Sequence, residues 1–145
     1  MNQVKKYKSP LLAVDALVFK KENNRLLLLM ITRMNPPYGL AFPGGHIDYG
    51  ESCETAVLRE LREETNLQGN NPKLFGVYSE PNRDPRKHVC SIVYEVDVED
   101  TSTLKAGDDA KQANWYDIKD LEKMSDKIAF DHHRIICDYI RTKGI

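Results

Sequence analysis

Short apolar segments separated by polar turns predict a set of β-strands. They lie at residues 11–19, 25–31, 74–79, 90–98 and 114–118. The fourth alternates most regularly, because every second residue from Cys90 to Val98 is apolar or aromatic, as in a half-buried strand. The first two segments flank the polar stretch Lys21-Glu22-Asn23-Asn24, which predicts a β-hairpin.

Two other segments carry the 3.6-residue period of an α-helix. Val57, Leu58 and Leu61 form the apolar stripe of the first, which follows a capping serine, Ser52, and precedes Asn66. Asparagine tolerates the left-handed conformation in which many helices end. The second helix is predicted over 131–142. Strands combined with two main helices predict an α/β fold with a mixed β-sheet between helices.

Composition and charge favour one small soluble domain over residues 1–145. A formal net charge of -1 gives no sign of a nucleic-acid or anionic-membrane partner. The longest aliphatic run, 26–31, is too short to span a bilayer. Cys53, Cys90 and Cys137 show neither metal-ligand nor redox spacing, so we expect reduced thiols in a cytoplasmic protein.

Three glutamates within one turn of the first helix are the strongest chemical signal. Glu60, Glu63 and Glu64 occupy positions i, i+3 and i+4, which lie on one side of a helix. Their charges repel one another, and the end of a helix disfavours negative charge. A divalent cation among them would relieve this repulsion. The alternative is a solvated acidic face that is neutralised by Arg59 and Arg62.

The residues around these glutamates follow a specific order. Phe42-Pro43-Gly44-Gly45 indicates a turn where the backbone approaches another group closely. Gly45 is followed by five residues, Glu51, seven residues and then the segment 59–67, which reads RELREETNL. This pattern resembles the Nudix box of the Nudix hydrolases, with Asn66 where the family has glycine. The resemblance implies an α/β/α sandwich and a hydrolase for a nucleoside diphosphate linked to another moiety.

The predicted metal ligands are oxygen atoms, which hard cations prefer. Glu60 and Glu64 are the leading ligands of Mg²⁺, with Mn²⁺ as the second candidate, and Glu63 shares the ion or bridges a second one. The resemblance implies that the backbone carbonyl of Gly44 also coordinates. Such an ion neutralises charge on phosphoryl oxygens and lowers the pKa of a bound water.

Catalytic roles are predicted for three further residues. Arg59 is expected to orient a carboxylate, and Glu51 to position the loop or to bind another ion. Asp109 lies six positions before Trp115, in a segment that resembles the Nudix loop with an acidic general base. In the alternative, Asp108 and Asp109 are only turn residues. The metals and Glu63 would then activate the water.

Substrate recognition is predicted for the loop at 79–89, SEPNRDPRKHV. Arg83 and Arg86, with Lys87 and His88, make it basic and suited to phosphate. Asp84-Pro85-Arg86 and Phe130-Asp131-His132 resemble segments of the Nudix ADP-ribose pyrophosphatases, although Lys87 replaces a usual glycine. The competing interpretation is a solvated loop. Tyr38 is the residue assigned to the adenine, from four aromatic residues that could stack on it or pack in the core.

The resemblance therefore implies metal-dependent hydrolysis of ADP-ribose to AMP and ribose 5-phosphate. Two alternatives stay open. The first is the same chemistry on an oxidised nucleoside triphosphate, a nucleotide sugar or a dinucleoside polyphosphate. The second is a nucleotide sensor without catalysis, against which the intact glutamates argue. Because many ADP-ribose-cleaving relatives dimerise, a homodimer is also open; no nucleic-acid or membrane partner is expected.

Overall fold

The computed structural model describes residues 7–145, which form eight strands, three α-helices and one turn of 3-10 helix. The first five strands are β1 (Leu11–Leu17), β2 (Phe19–Glu22), β3 (Arg25–Arg33), β4 (Leu40–Ala41) and β5 (Gly44–His46). Then follow α1 (Cys53–Thr65), β6 (Asn70–Tyr78), β7 (Val89–Asp97), β8 (Ala110–Asp117), α2 (Ile118–Glu122), the 3-10 turn Ser125–Lys127 and α3 (His132–Lys143).

The strands divide into two four-stranded sheets. One has the order β5-β1-β7-β6 and is mixed, because β1 runs parallel to β7 while the other pairs are antiparallel. In the other, β3 pairs antiparallel with β2, β4 and β8. The predicted single mixed sheet is therefore one of two sheets.

Helices cover these sheets on two sides. Val57 and Leu61 of α1 pack in one core cluster with Val14, Ala16 and Leu29. On the other side, α2 and α3 contribute to a second cluster that also holds Leu17, Leu28, Met30 and Val93. Neighbouring residues of β1 thus enter opposite clusters, as the alternation of a strand requires. The predicted α/β/α sandwich is confirmed.

The ends of α1 form as their residues predict. Ser52 accepts a hydrogen bond from the backbone N–H of Thr55 at 3.1 Å. Asn66 adopts a left-handed conformation with φ 60°, and its N–H donates to the carbonyl of Arg62. Asparagine therefore adopts the left-handed conformation that ends the helix, at a position where glycine is the usual residue. The carboxylates of the last helical turn are held at a defined position beside β5.

The N-terminal strands differ from the prediction. The segment 11–19 is two strands, and only Phe19–Glu22 forms the predicted hairpin with β3. β1 pairs instead with β7, more than seventy residues later. Short-range pattern cannot reveal such a distant partner. The short helix α2 and the strands β4 and β5 were not predicted. None of the helices in the described part is long and apolar enough to cross a membrane.

Candidate functional site

A cavity of about 150 Å³ lies beside the C-terminal end of α1. Its charged lining residues come from separate parts of the chain. We call Asp15, Glu64 and Asp109 the acidic wall and Arg33, Arg83 and Arg86 the basic wall; Asp84, which pairs with Arg86, also lines the cavity. Other residues of the lining include Gly44, Gly45, Phe130 and His132. The cavity therefore combines groups that suit a cation with groups that suit an anion.

The two glycines of β5 allow the close approach that their sequence suggested. A Cβ on Gly44 would overlap the backbone of Val14 and the carboxylate of Asp15. A Cβ on Gly45 would lie 2.5 Å from the carboxyl carbon of Glu60. Because both positions are blocked, only glycine lets β5 lie between β1 and the carboxylates of α1.

Glu64 is a buried carboxylate of the site, with an exposed fraction of 5%. Its Oε1 accepts a hydrogen bond of 2.7 Å from the N–H of Gly44. Burial raises the pKa of Glu64 to about 8, and the charges of Glu60, Asp15 and Asp109 act in the same direction. Glu64 is thus close enough to three other acids for their charges to disfavour its ionised form.

Arg59 joins the other carboxylates of the helix. It contacts Glu51 at 2.7 Å, Glu60 at 2.8 Å and Glu63 at 3.1 Å. The hydrogen bonds with Glu51 raise the pKa of Arg59 and hold the pKa of Glu51 at about 2. These contacts have the geometry of the expected orienting role, which stays a prediction. They also neutralise part of the acidic face. This is the role that Arg59 has in the alternative interpretation of a solvated acidic face.

No group of three or more histidine, cysteine, aspartate or glutamate side chains in residues 7–145 is already close enough together to hold a metal ion. The donor set nevertheless suits a hard divalent cation. Burial raises the pKa values of both Glu60 and Glu64. A cation would relieve this cost by favouring the charged carboxylates. Ligation by Glu60, Glu63, Glu64 and the carbonyl of Gly44 stays a prediction.

The loop before β8 is fastened to the end of α1. The N–H of Gly107 donates to the carbonyl of Glu64 at 2.9 Å. A Cβ at Gly107 would lie 2.5 Å from the carbonyl oxygen of Glu63. This docking places Asp109 in the cavity lining, whereas Asp108 adopts φ 47° and is not part of it. The structure thus separates the two aspartates, and the general-base role of Asp109 stays a prediction.

The basic loop between β6 and β7 is ordered by ion pairs. Arg83 is buried, and its guanidinium donates twice to Asp131, at 3.0 and 2.7 Å. Arg86 donates twice to Asp84, at 3.1 and 2.9 Å. Both arginines line the cavity. Their carboxylate partners fix them in place and leave other guanidinium N–H groups for a ligand.

Residues 9–139 match the family model of the NUDIX domain. The chain belongs to the Nudix family. It is 47% identical over 140 residues to an ADP-ribose pyrophosphatase of Methanocaldococcus jannaschii. The match covers 95% of this chain and 78% of the relative. A MutT/nudix family protein from Enterococcus faecalis superposes with a TM-score of 0.81 and 31% identity, covering 93% of this chain and 62% of that one.

A third comparison concerns a structure with a bound nucleotide. The NUDIX domain of Shewanella oneidensis NrtR, complexed with ADP ribose, superposes with a TM-score of 0.80 and 28% identity. The match covers 96% of this chain and 91% of that domain.

The Nudix cavity brings together five of the nine predicted site residues: Gly44, Glu64, Arg83, Arg86 and Asp109. Arg59, Glu60 and Glu63 lie beside it on α1, joined by the ion pairs described above. Tyr38 is 69% exposed and does not line the cavity. Its assignment to the adenine has no support from this geometry and stays an untested prediction.

Sequence reasoning missed Arg33, at the end of β3. Its Nε donates to the carbonyl of Pro37 at 2.7 Å, and its guanidinium lies 4.8 Å from the ring centre of Phe130. Burial and the neighbouring Arg86 lower the pKa of Arg33. It forms no salt bridge among the described residues. An arginine that ends a buried apolar strand just before the box was the signal available in the sequence.

Proposed function

We propose that this chain hydrolyses ADP-ribose to AMP and ribose 5-phosphate. The observation that carries the proposal is the cavity itself, in which an acidic wall and a basic wall meet at the end of the Nudix helix. A diphosphate needs both, because its charge must be bound by cations while a water attacks phosphorus. The 47% identity to an ADP-ribose pyrophosphatase supports this choice of substrate.

Glu60, Glu63, Glu64 and the carbonyl of Gly44 would hold the divalent cation, Mg²⁺ or Mn²⁺. When bound, it supplies charge neutralisation and a water of lowered pKa. Arg59 orients the carboxylates through its contacts with Glu60 and Glu63. Glu51 fixes Arg59 through two hydrogen bonds of 2.7 and 2.9 Å.

The remaining roles belong to the side chains that line the cavity. Asp109 accepts the proton of the attacking water. Arg33 and Arg86 bind phosphate oxygens, because charge-assisted hydrogen bonds from guanidinium groups suit such planar, bidentate contacts. Arg83 contributes positive charge from its fixed position on Asp131. Phosphate binding and proton transfer would thus use different side chains of the same cavity lining.

A nucleotide panel with Mg²⁺ tests the proposal by product analysis. We expect AMP from ADP-ribose at a higher rate than any product from a nucleoside triphosphate, a nucleotide sugar or a dinucleoside polyphosphate. Faster cleavage of another substrate would retain the chemistry and change the specificity. Tight binding of ADP-ribose without cleavage would instead indicate a nucleotide sensor, the second alternative that the sequence leaves open.

Assembly and location complete the proposal. We propose a homodimer, supported by Leu12, Leu74 and Val77, three large exposed apolar side chains whose strand pairing places them on one sheet face. Light scattering after gel filtration measures its mass. Cytoplasmic location and the absence of nucleic-acid and membrane partners stay predictions.

A further inference from the structure

Two consecutive residues at the start of α3 contact the two sides of the cavity. Asp131 occupies the N-cap position, yet its side chain makes no capping hydrogen bond. Its carboxylate accepts both hydrogen bonds from Arg83 instead. Aspartate at an N-cap normally stabilises its own helix. Here it holds an arginine of the basic wall.

His132 holds the other side. Its Nδ1 accepts a hydrogen bond of 3.1 Å from the backbone N–H of Phe42. Nδ1 therefore carries the lone pair, and Nε2 lies 3.5 Å from Asp15 Oδ2, an electrostatic contact and not a hydrogen bond. The imidazole also stacks on the ring of Phe42, with centres 4.3 Å apart. Both ring nitrogens are thus engaged, and the ring is 2% exposed.

The contacts of His132 are linked through Asp15 and Phe42 to Gly44 and Glu64, two of the predicted metal ligands. Asp15 Oδ2 also accepts a hydrogen bond of 2.5 Å from the hydroxyl of Ser91. Asp15 is the strand partner of Gly44, and Phe42 precedes Gly44 by two residues. His132 consequently fixes the glycine turn from its N-terminal side and the strand beside it. The N–H of Gly44 is the group that holds Glu64.

We propose that Asp131 and His132 are positioning residues that set the two walls independently. His132 places the glycine turn, and with it the carbonyl of Gly44 and the carboxylate of Glu64. Asp131 places Arg83 and the basic loop. Because the two residues are adjacent at the N-terminal end of α3, both walls are fixed to the same helix end. The choice of ADP-ribose as the ligand rests on the proposed function. The assignment of His132 to one wall and of Asp131 to the other rests on their contacts in the structure.

Stability alone gives little reason for this arrangement. A buried ion pair loses solvation that its attraction scarcely recovers. A buried imidazole with one hydrogen bond and one polar contact gains little over an apolar ring of similar shape. Placement of reacting groups, however, is sensitive to small displacements. Partners behind metal ligands typically change affinity or activity by about 10- to 100-fold when they are removed.

The experiment separates two binding constants in the full-length protein. Binding of Mn²⁺ is measured by electron paramagnetic resonance, and binding of ADP-ribose by calorimetry in EDTA. His132→Phe keeps the stacking and removes both the hydrogen bond from Phe42 N–H and the contact with Asp15, so we expect Mn²⁺ to bind about tenfold more weakly with ADP-ribose binding unchanged. Asp131→Asn should weaken ADP-ribose binding about tenfold and leave Mn²⁺ binding unchanged. In turnover, His132→Phe should lower kcat, and Asp131→Asn should raise KM.

Rescue and control variants distinguish positioning from general destabilisation. His132→Asn offers an oxygen near the place of Nδ1, accepts from Phe42 N–H and should recover most of the Mn²⁺ affinity; it also serves if His132→Phe does not fold. The controls lie on the same helix. His133→Phe alters a ring that contacts the carbonyl of Glu122, and Asp138→Asn alters an acceptor of Arg141; neither should change either constant.

The outcomes decide the proposal. It is supported if the two variants affect different constants and His132→Asn restores the first. It is overturned if both variants change the same constant, if neither constant changes, or if the controls behave like the test variants. If the wild type neither binds nor cleaves ADP-ribose, the proposed function fails. Mn²⁺ binding to His132→Phe, His132→Asn and Asp131→Asn then decides the proposal, which is overturned unless His132→Phe alone binds Mn²⁺ more weakly.

Discussion

The carboxylates of the box helix and the arginines of the basic wall meet at one cavity but come from different kinds of structure. Glu60, Glu63 and Glu64 lie within one turn of α1, so the helix itself brings them together. Arg33 ends β3, while Arg83 and Arg86 belong to a loop fifty residues later. The first group depends on local geometry, and the second depends on tertiary folding.

The two groups also differ in their partners. Arg83 and Arg86 each have a carboxylate, Asp131 or Asp84, within 3.0 Å. Glu64 has the N–H of Gly44, and the acids around it raise its pKa further. Two of the three arginines of the basic wall are therefore paired by the protein, whereas Glu64 has no basic side chain paired with it among the described residues. We therefore expect the metal to bind on the acidic side and the substrate phosphates on the basic side.

Removing the buried and half-buried carboxylates should have the largest effect. We expect Glu60→Gln and Glu64→Gln each to lower kcat by about 10³-fold, because the loss of metal charge raises the barrier by several kcal/mol. The double variant should fall to the uncatalysed rate. Steady-state assays measure turnover, and circular dichroism checks the fold. Near-normal turnover in both single variants would place the metal elsewhere.

The next effect concerns Asp109, which the structure separates from Asp108. Asp109→Asn should lower kcat by about 10²–10⁴-fold with little change in KM, since general-base catalysis acts in the transition state. Asp108→Asn is the matched control and should do much less. Equal, mild losses in the two variants would mean that the segment is only a turn, with Glu63 and the metals left to activate the water.

The same comparison explains how much the sequence could predict. Ser52, Asn66 and the three glutamates act through contacts within a few residues, so α1 and its caps were predicted correctly. β1 was misassigned because its pairing with β7 is decided far along the chain. Arg33 was missed for a similar reason: its place at the end of an apolar strand is visible in the sequence, but its closeness to Phe130 and Arg86 depends on distant segments. The sequence therefore predicts local motifs, but it does not predict cavity walls that are formed by distant segments of the chain.

The arginines of the basic wall should give an intermediate effect. Arg33→Ala and Arg86→Ala should each lower kcat/KM by about 10- to 100-fold, because each removes a charge-assisted hydrogen bond to phosphate. Arg25→Ala, at the exposed start of β3, is the control for a lost positive charge. Arg33→Lys should recover little, since lysine cannot reproduce planar, bidentate contacts. Unchanged kcat/KM in both alanine variants would remove the phosphates from this wall.

The smallest effect tests the excess charge on the acidic side, without substrate. In metal-free protein the pKa of Glu64 is raised from 4.5 to about 8, so the folded state binds its proton more tightly than the unfolded state does. The stabilisation is full below pH 4.5 and is lost as pH rises toward 8. Glu51, with a pKa of about 2, is ionised throughout the upper part of this window and adds no slope there.

We therefore expect the melting temperature in EDTA to fall by a few degrees between pH 5.5 and pH 8, and Glu64→Gln to flatten this fall. Glu99→Gln, on an exposed turn, should leave it as it is. A divalent cation must displace the proton of Glu64, so its apparent affinity should rise over the same interval. If Glu64→Gln retains the full pH dependence, the carboxylate is already compensated without metal, and the contrast between the two sides of the cavity fails.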